Sequence, residues 1–265
     1  MFQKTLTRGF FCRQTGRWLL RAWSPVFALA GPIACIVSSA SAGPPYLVDD
    51  PGTLDHRRLF LYVAEIGSLL EGTYTHTAPN LVLGYGIRPD LEVTFGLSGY
   101  ASNTPAIALD RMNNPALALK WRFREEGRRT PALAFAYQVT LVTLDQGFGR
   151  GHSVHTLYLT GSKSLGKGLL YATGTLGGNV VSKSGANWLY GVAYDNPLGS
   201  RWRIGAQWYG NSALNSNGIP EEHAWGVGVT CVLNDYWTLL LQAGRSMKGN
   251  GDLLTFAGFL IRLTP

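Results

Sequence analysis

Apolar residues alternate with small or polar residues along most of the chain after residue 58. This period of two is the pattern of a β-strand whose two faces meet different surroundings. The segment from residue 91 to residue 98 shows it clearly. One face carries Leu91, Val93, Phe95 and Leu97, and the other carries Glu92, Thr94, Gly96 and Ser98. Segments of this kind recur down the chain, and we find no comparable helical periodicity.

The pattern predicts twelve strands, separated by alternately short and longer connections. The predicted strands are 59–67, 77–87, 91–100, 115–123, 132–143, 154–163, 169–179, 187–196, 201–211, 223–233, 236–246 and 252–263. The connections 88–90, 165–168, 196–199 and 234–235 are short, whereas 68–76, 101–114, 144–153, 180–186 and 212–222 are mostly longer. This alternation is typical of barrels of the bacterial outer membrane.

The nature of the two faces selects the fold class. The more polar face is built of small side chains and cannot form the core of a soluble sandwich, so the apolar face must meet an apolar exterior. A closed sheet in lipid satisfies this requirement and leaves no open edge. We therefore predict an all-β fold, a transmembrane antiparallel up-and-down β-barrel of the outer-membrane type with about twelve strands.

Aromatic residues near the predicted strand ends support this interpretation, because such residues form girdles at membrane interfaces. The residues concerned are Trp121, Phe123, Trp188, Trp202, Trp208, Trp225 and Trp237. The last strand carries Gly258, Ile261 and Leu263 in an arrangement that resembles the terminal assembly signal of outer-membrane proteins. The barrel-assembly machinery is therefore an expected partner during biogenesis.

Residues 1–42 have the composition of a secretory signal peptide. They contain five basic residues and no acidic ones, a short apolar run from Trp23 to Val37, and the small-residue sequence Ala40-Ser41-Ala42. This order is that of a segment removed after export. We predict cleavage after Ala42, an N-terminal periplasmic segment at 43–58 and the barrel at 59–265.

Removal of the leader changes the charge and the cysteine count. The 23 Lys and Arg fall to 18, against 16 Asp and Glu, so the basic character of the chain belongs largely to the leader. It gives no argument for nucleic-acid binding. Cys231 is then the one remaining cysteine, which excludes an internal disulfide.

The stretch Gly43 to Pro51, GPPYLVDDP, followed by the aromatic strand LFLYVAEI, resembles a family of outer-membrane transporters labelled "MetA-pathway of phenol degradation". Members of that family begin with a similar segment and continue as antiparallel strands; Val48 stands where they commonly have Thr. The resemblance implies an outer-membrane barrel that passes small aromatic or apolar compounds.

Asp49 and Asp50 lie in this stretch, before the first strand. Asp50 precedes a proline, which favours extended geometry and a turn. A structural turn at the barrel mouth is one interpretation, and a carboxylate gate or weak cation site is another. Neighbouring residues of an extended chain point to opposite sides, which disfavours a pair of catalytic carboxylates.

The predicted lumen contains both charged and hydrogen-bonding side chains. We single out Glu92, Lys120, Arg122, Arg203, Gln207, Tyr209 and Arg262. Glu92 and Arg122 are expected to face each other near the periplasmic rim. This pair is either a structural ion pair or part of a constriction that favours anions, since cations outnumber carboxylates in the set.

Ser153 and His155 share a face at the end of the sixth strand. A Ser and a His at such a rim could serve a lipid hydrolase, but no nucleophile motif surrounds Ser153 and no residue is singled out as a third member. His152 and His155 give only a weak metal signal. We predict no catalytic, cofactor or metal site.

The sequence thus predicts a passive channel for small, aromatic or anionic solutes in the outer membrane of a Gram-negative bacterium. Its partners would be outer-membrane lipid and the solutes, with no nucleic acid. Two alternatives remain: a lipid hydrolase with the Ser153 and His155 rim site, or a structural or adhesion barrel with a plugged lumen.

Overall fold

The computed structural model describes residues 45–70, 73–102, 111–112, 115–141, 153–178, 187–213, 222–247 and 253–264. The predicted signal peptide, with its cleavage position after Ala42, lies outside these residues. None of the described residues builds a helix long and apolar enough to cross a membrane.

Thirteen strands form a single antiparallel sheet. They are β1 (Leu59–Leu70), β2 (Thr73–Arg88), β3 (Leu91–Ser102), β4 (Arg111–Met112), β5 (Ala116–Arg124), β6 (Ala132–Thr140), β7 (Val154–Leu165), β8 (Gly168–Gly178), β9 (Asn187–Leu198), β10 (Trp202–Ala213), β11 (Glu222–Val232), β12 (Trp237–Ser246) and β13 (Leu253–Arg262). The two-residue β4 and the longer β5 both pair with β3, so they share one position in the wall. The wall therefore has twelve positions.

The sheet closes on itself. β1 pairs with β2 on one side and with β13 on the other, in a register that runs from Phe60 opposite Arg262 to Leu69 opposite Leu253. The other strands pair with their neighbours in sequence, except that β5 pairs with β3 and β6. Closure leaves no open edge of the sheet with a row of unpaired backbone groups, which a sheet in an apolar medium requires. The predicted twelve-stranded antiparallel barrel is confirmed.

The predicted loop at 68–76 is wrong. β1 continues to Leu70 and β2 begins at Thr73, so most of that segment is strand. Small and polar residues such as Ser68, Thr73 and Thr75 interrupt the apolar alternation there. Pairing across the hairpin holds them in the sheet, with Ser68 opposite Thr75 and Leu70 opposite Thr73.

The outer face of the barrel is apolar and exposed. The side chains of the predicted apolar faces point outward, and the seven residues of the predicted aromatic girdle are all at least a third exposed. Outward-facing residues sit opposite one another across strands, as Trp208 does with Trp225. A continuous exposed apolar surface of this kind indicates contact with lipid.

The connection between β5 and β6 is held to the rim by one ion pair. The ammonium of Lys163 lies 2.7 Å from the carboxylate of Glu126, and the Ser164 hydroxyl donates to the same carboxylate at 2.9 Å. The Lys163 ammonium, by this hydrogen bond, lowers the pKa of Glu126 below its ordinary value. This pair lies outside the lumen.

Replacing Val227 by Lys tests the assignment of the outer face. Val227 lies at the middle of β11 and is half exposed. A charge there should lower the free energy of unfolding in phospholipid vesicles by about 2–4 kcal/mol, because it lies near the bilayer midplane. Leu233→Lys, just beyond the end of the same strand, is the control and should change it by about 0–1 kcal/mol. Equal effects in a denaturant titration would contradict the assignment.

Candidate functional site: an occluded lumen

Residues 45–58, here called the N-terminal segment, enter the barrel before β1 begins. Val48 and Pro51 are almost completely buried, and Asp50, Thr53 and Leu54 are at most 6% exposed. Two prolines and an Asx-type turn, in which Gly52 N donates to Asp50 Oδ1 at 2.5 Å, give the segment its folded path. A turn preceding the first strand was expected, but its burial inside the lumen was not.

Gln207 on β10 holds the first part of the N-terminal segment. Its side-chain oxygen accepts hydrogen bonds from the backbone amides of Leu47, at 2.9 Å, and Val48, at 3.3 Å. Gln207 is itself only 3% exposed. The hydroxyl of Tyr46 donates to the carbonyl of Gly228 at 3.4 Å. Burial, and then the neighbouring Asp195 carboxylate, raise the pKa of Tyr46, which keeps this hydroxyl protonated as a donor.

Asp49 joins the segment to two further strands. Its carboxylate lies 2.9 Å from the ammonium of Lys120 on β5. Its backbone carbonyl accepts a hydrogen bond of 2.7 Å from the hydroxyl of Thr173 on β8. The Lys120 side chain is only 11% exposed, so the pair is shielded from water on the wall side. The opposite charge stabilises a lysine that would otherwise be desolvated alone.

Glu92 on β3 anchors the second part of the segment. Its carboxylate accepts the backbone amide of Leu54 at 2.9 Å, and Glu92 is buried. The hydroxyl of Thr53 donates to the carbonyl of Pro89 at 2.7 Å. Together with the contacts of Gln207, Lys120 and Thr173, these bonds tie one short segment to strands on several sides of the barrel. The segment is therefore a plug and not a tail.

Glycines on the inner wall make room for the plug. A Cβ atom added at Gly228 would lie 2.5 Å from Tyr46 Cε1 and 3.2 Å from Pro45 Cγ. At Gly191 it would lie 2.7 Å from a methyl carbon of Val48, and at Gly86 2.0 Å from the carbonyl oxygen of Asp55. The small residues that alternate along the inner face are thus needed for close approach of a second backbone.

Asp195 and Arg203 form a second ion pair beside the plug. Arg203 Nε donates to Asp195 Oδ2 at 2.8 Å, and a second guanidinium nitrogen contacts Oδ1. Asp195 is 2% exposed. Arg203 was predicted to lie in the lumen, but its partner Asp195 was not singled out, although it falls within the predicted strand 187–196. Its alternation with Gly191 and Ala193 was the available signal.

The expected pairing of Glu92 with Arg122 is wrong. Leu91 lies opposite Trp121 in the register, so Glu92 faces Lys120 instead. Arg122 lies one position beyond this pairing, where it donates to the carbonyl of Pro89 at 3.0 Å. Arg262 likewise donates to the carbonyl of Asp235, at 3.1 Å. These two arginines stabilise turns and are not part of the plug site.

The remaining predicted residues divide between lumen and outer face. Tyr209 is buried on the inner face of β10 beside Gly191. His155 lies on the outer face, where its ring stacks on Tyr137 and its Nδ1 lies 2.5 Å from the Tyr137 hydroxyl. His152 lies outside the described residues. In the part of the chain that the structure describes, no three His, Cys, Asp or Glu residues gather as a metal site.

The lumen wall has an apolar side and a polar side. Phe60, Leu240 and Leu260 form a buried cluster with Leu54 of the plug, and the rings of Tyr62 and Phe256 stack nearby with centroids 5.7 Å apart. A cavity of about 200 Å³ is lined by Asn80, Val82, Thr94, Gly96, Leu97, Ala116, Ala118 and Gln138. None of these lining residues is charged.

Replacing Gly228 by Ala tests the seat of the plug. The new methyl group should collide with Tyr46 and Pro45, and overpacking of this kind lowers the free energy of unfolding by about 1–3 kcal/mol. Gly174→Ala on β8 is the control, since a Cβ atom there meets nothing within 4 Å. It should raise stability by about 0.5–1 kcal/mol, as Ala does over Gly in a strand. A denaturant titration measures both, and a harmless Gly228→Ala would argue against the seat.

Comparison with known proteins supports the architecture. Neither the protein-family models nor the curated proteins give a match. Among solved structures, an outer membrane channel from Pseudomonas putida F1 matches with a TM-score of 0.60 and 15% identity, over 81% of this chain and 98% of that chain. The NanC porin matches with a TM-score of 0.58 and 8% identity, over 77% and 100% of the two chains. The KdgM porin gives 0.54 and 7%, over 77% and 99%. The chain therefore has the fold of these channels and porins.

Proposed function

We propose that the protein is a channel of the bacterial outer membrane in which the N-terminal segment is a gate. The observation that carries this proposal is the plug itself: one segment crosses the lumen and is held there by side chains of the inner wall. The apolar outer face and the fold shared with outer membrane channels and porins support the location. Passage of a solute requires the segment to move.

The pairing of lumen charges favours uncharged solutes over anions. The plug adds Asp49 and Asp50 to a lumen that also holds Glu92 and Asp195, and the cations Lys120 and Arg203 are each engaged by a carboxylate. An anion entering this region would meet carboxylates and no unpaired cation among these groups. The excess of cations that the sequence suggested is offset by the plug and by Asp195.

The cavity and the apolar wall favour a small aromatic solute. About 200 Å³ exceeds the ~150 Å³ of an apolar cavity that binds benzene, so it is space for a single-ring compound. Gln138 accepts a hydrogen bond from Tyr158 at 3.3 Å, so its amide nitrogen is the group left to donate to a solute. Asn80 and Thr94 add further hydrogen-bonding groups around an apolar floor. We propose neutral single-ring aromatics as the solute class.

The contact between Asp49 and Lys120 is the part of the gate that can be tested most directly. Asp49→Asn or Lys120→Gln should loosen the plug by about 1.5–3 kcal/mol, the usual worth of a hydrogen bond to a charged group. Ion conductance in planar bilayers should rise in both variants. Glu126→Gln is the matched control, because it breaks an equally short ion pair outside the lumen. Unchanged conductance in the two lumen variants would overturn the gate.

Solute influx into liposomes tests the channel. The panel contains a neutral phenol, benzoate, a sugar, an amino acid and chloride, and the proteins are the mature chain and a variant lacking residues 43–54. We expect the phenol to enter fastest, and the truncated barrel to admit all solutes faster. Folding is checked by the heat-dependent shift of the barrel on a gel. A folded barrel that admits nothing in either form would overturn the channel, because the lumen would then be closed even without most of the plug.

A further inference from the structure

The end of the barrel with the short connections is strongly basic. The segments 55–58, 88–90, 124–131, 166–167, 199–201 and 233–236 together contain eight Lys and Arg and five Asp and Glu. The basic residues, here called the basic ring, are Arg57, Arg58, Arg88, Arg124, Arg128, Arg129, Lys167 and Arg201. All eight are exposed.

Ion pairs at the rim neutralise most of its acidic residues but few residues of the basic ring. Asp90 is bound by Arg88, Glu125 by Arg122 and Glu126 by Lys163. Of the basic ring, Arg88 alone has an ion pair within the described residues, while two of the five acidic residues, Asp55 and Asp235, are left. The rim therefore presents a surplus of solvated cations.

The other set of connections between strands does not share this positive charge. The segments 71–72, 103–114, 142–153, 179–186, 214–221 and 248–252 contain four basic and five acidic residues. The surplus is thus a property of one set of connections and not of the whole mature chain. Composition alone, with 18 basic and 16 acidic residues after the leader, hides this asymmetry.

The cations are distributed around the barrel mouth. They occur before β1 and in the connections β2–β3, β5–β6, β7–β8 and β9–β10, so they occupy most of the circumference. Several adjoin outward-facing aromatics, as Arg124 does Phe123 and Arg201 does Trp202, both of which are more than 40% exposed. Aromatic side chains of this kind lie at headgroup depth, and long basic side chains reach toward the same layer.

We propose that the basic ring binds the phosphates of anionic phospholipid in the leaflet around the barrel mouth. This inference rests on the membrane location in the proposed function but not on transport. A partner that surrounds the barrel matches cations spread over the circumference, whereas an acidic protein docking on one side would match a single cluster. Phosphatidylglycerol is the chemical class, since its headgroup has a net negative charge and zwitterionic lipid has none.

Lipid retention tests the basic ring. The mature protein is inserted into nanodiscs that contain equal amounts of phosphatidylglycerol and phosphatidylcholine, and the lipids that stay bound are counted by native mass spectrometry. We expect an enrichment of phosphatidylglycerol of about fivefold per engaged site, which corresponds to about 1 kcal/mol for each basic residue near an anionic surface. Raising the salt concentration should reduce the enrichment.

Two matched triple variants decide the result. Arg128→Gln, Lys167→Gln and Arg201→Gln together remove three charges from the basic ring, and this variant should lose most of the enrichment. Arg150→Gln, Lys183→Gln and Lys248→Gln remove three charges from the other connections and should leave it unchanged. Equal retention of the two lipids by the native protein, or equal losses in both variants, would overturn the proposal. Phenol influx should be the same in both variants, so a failure here is separate from a failure of the channel.

Discussion

Closure of the sheet is the constraint on which the rest of the structure depends. Once β1 pairs with both β2 and β13, each of the twelve positions in the wall has two neighbours, and each side chain must point either outward or into the lumen. Alternate residues along a strand then face the lipid and the lumen in turn. The outer positions carry Leu, Val, Phe and Trp, and most inner positions carry small or polar residues, apart from the apolar cluster of Phe60, Leu240 and Leu260. The space for the N-terminal segment follows from those small inner residues.

The fold could be predicted from the sequence because this alternation is local. The strand positions in the wall agree with the predicted ones, and most ends differ by a few residues. The errors lie where the local signal fails. Ser68 and Thr73 are polar residues held in strands by hairpin pairing, and Arg111–Met112 is too short to have a periodicity. In both places the residues paired across the sheet determine the strand. The alternation of apolar and polar residues along the chain does not show that pairing.

The site could be predicted only in part, for a related reason. Glu92, Lys120 and Gln207 were placed in the lumen because their strands alternate clearly. Their partners in the plug, Asp49 and the amides of Leu47, Val48 and Leu54, could not be assigned, since no periodicity fixes a segment that is not a strand. Leu47 and Gln207, which are joined by one of these hydrogen bonds, are 160 residues apart in the sequence. A register error of two residues, which keeps the same face of the strand, was also enough to pair Glu92 with the wrong cation.

The energetics of the plug fit the proposed gate, which has to be both firm and releasable. Burying Val48 or Leu54 contributes about 1.5–3 kcal/mol each. The hydrogen bonds to the Gln207 oxygen contribute about 1 kcal/mol each, and the bond to the Glu92 carboxylate contributes about 1.5–3 kcal/mol. The plug is also part of the chain, so its release gains none of the translational freedom that a separate ligand would gain, and ten residues reach at most about 33–36 Å. A tethered segment returns at the high effective concentration of an intramolecular ligand. In the proposed gate, modest contacts are therefore sufficient to keep the lumen closed most of the time, and a solute that competed for the apolar wall at Leu54 would need to displace only part of them.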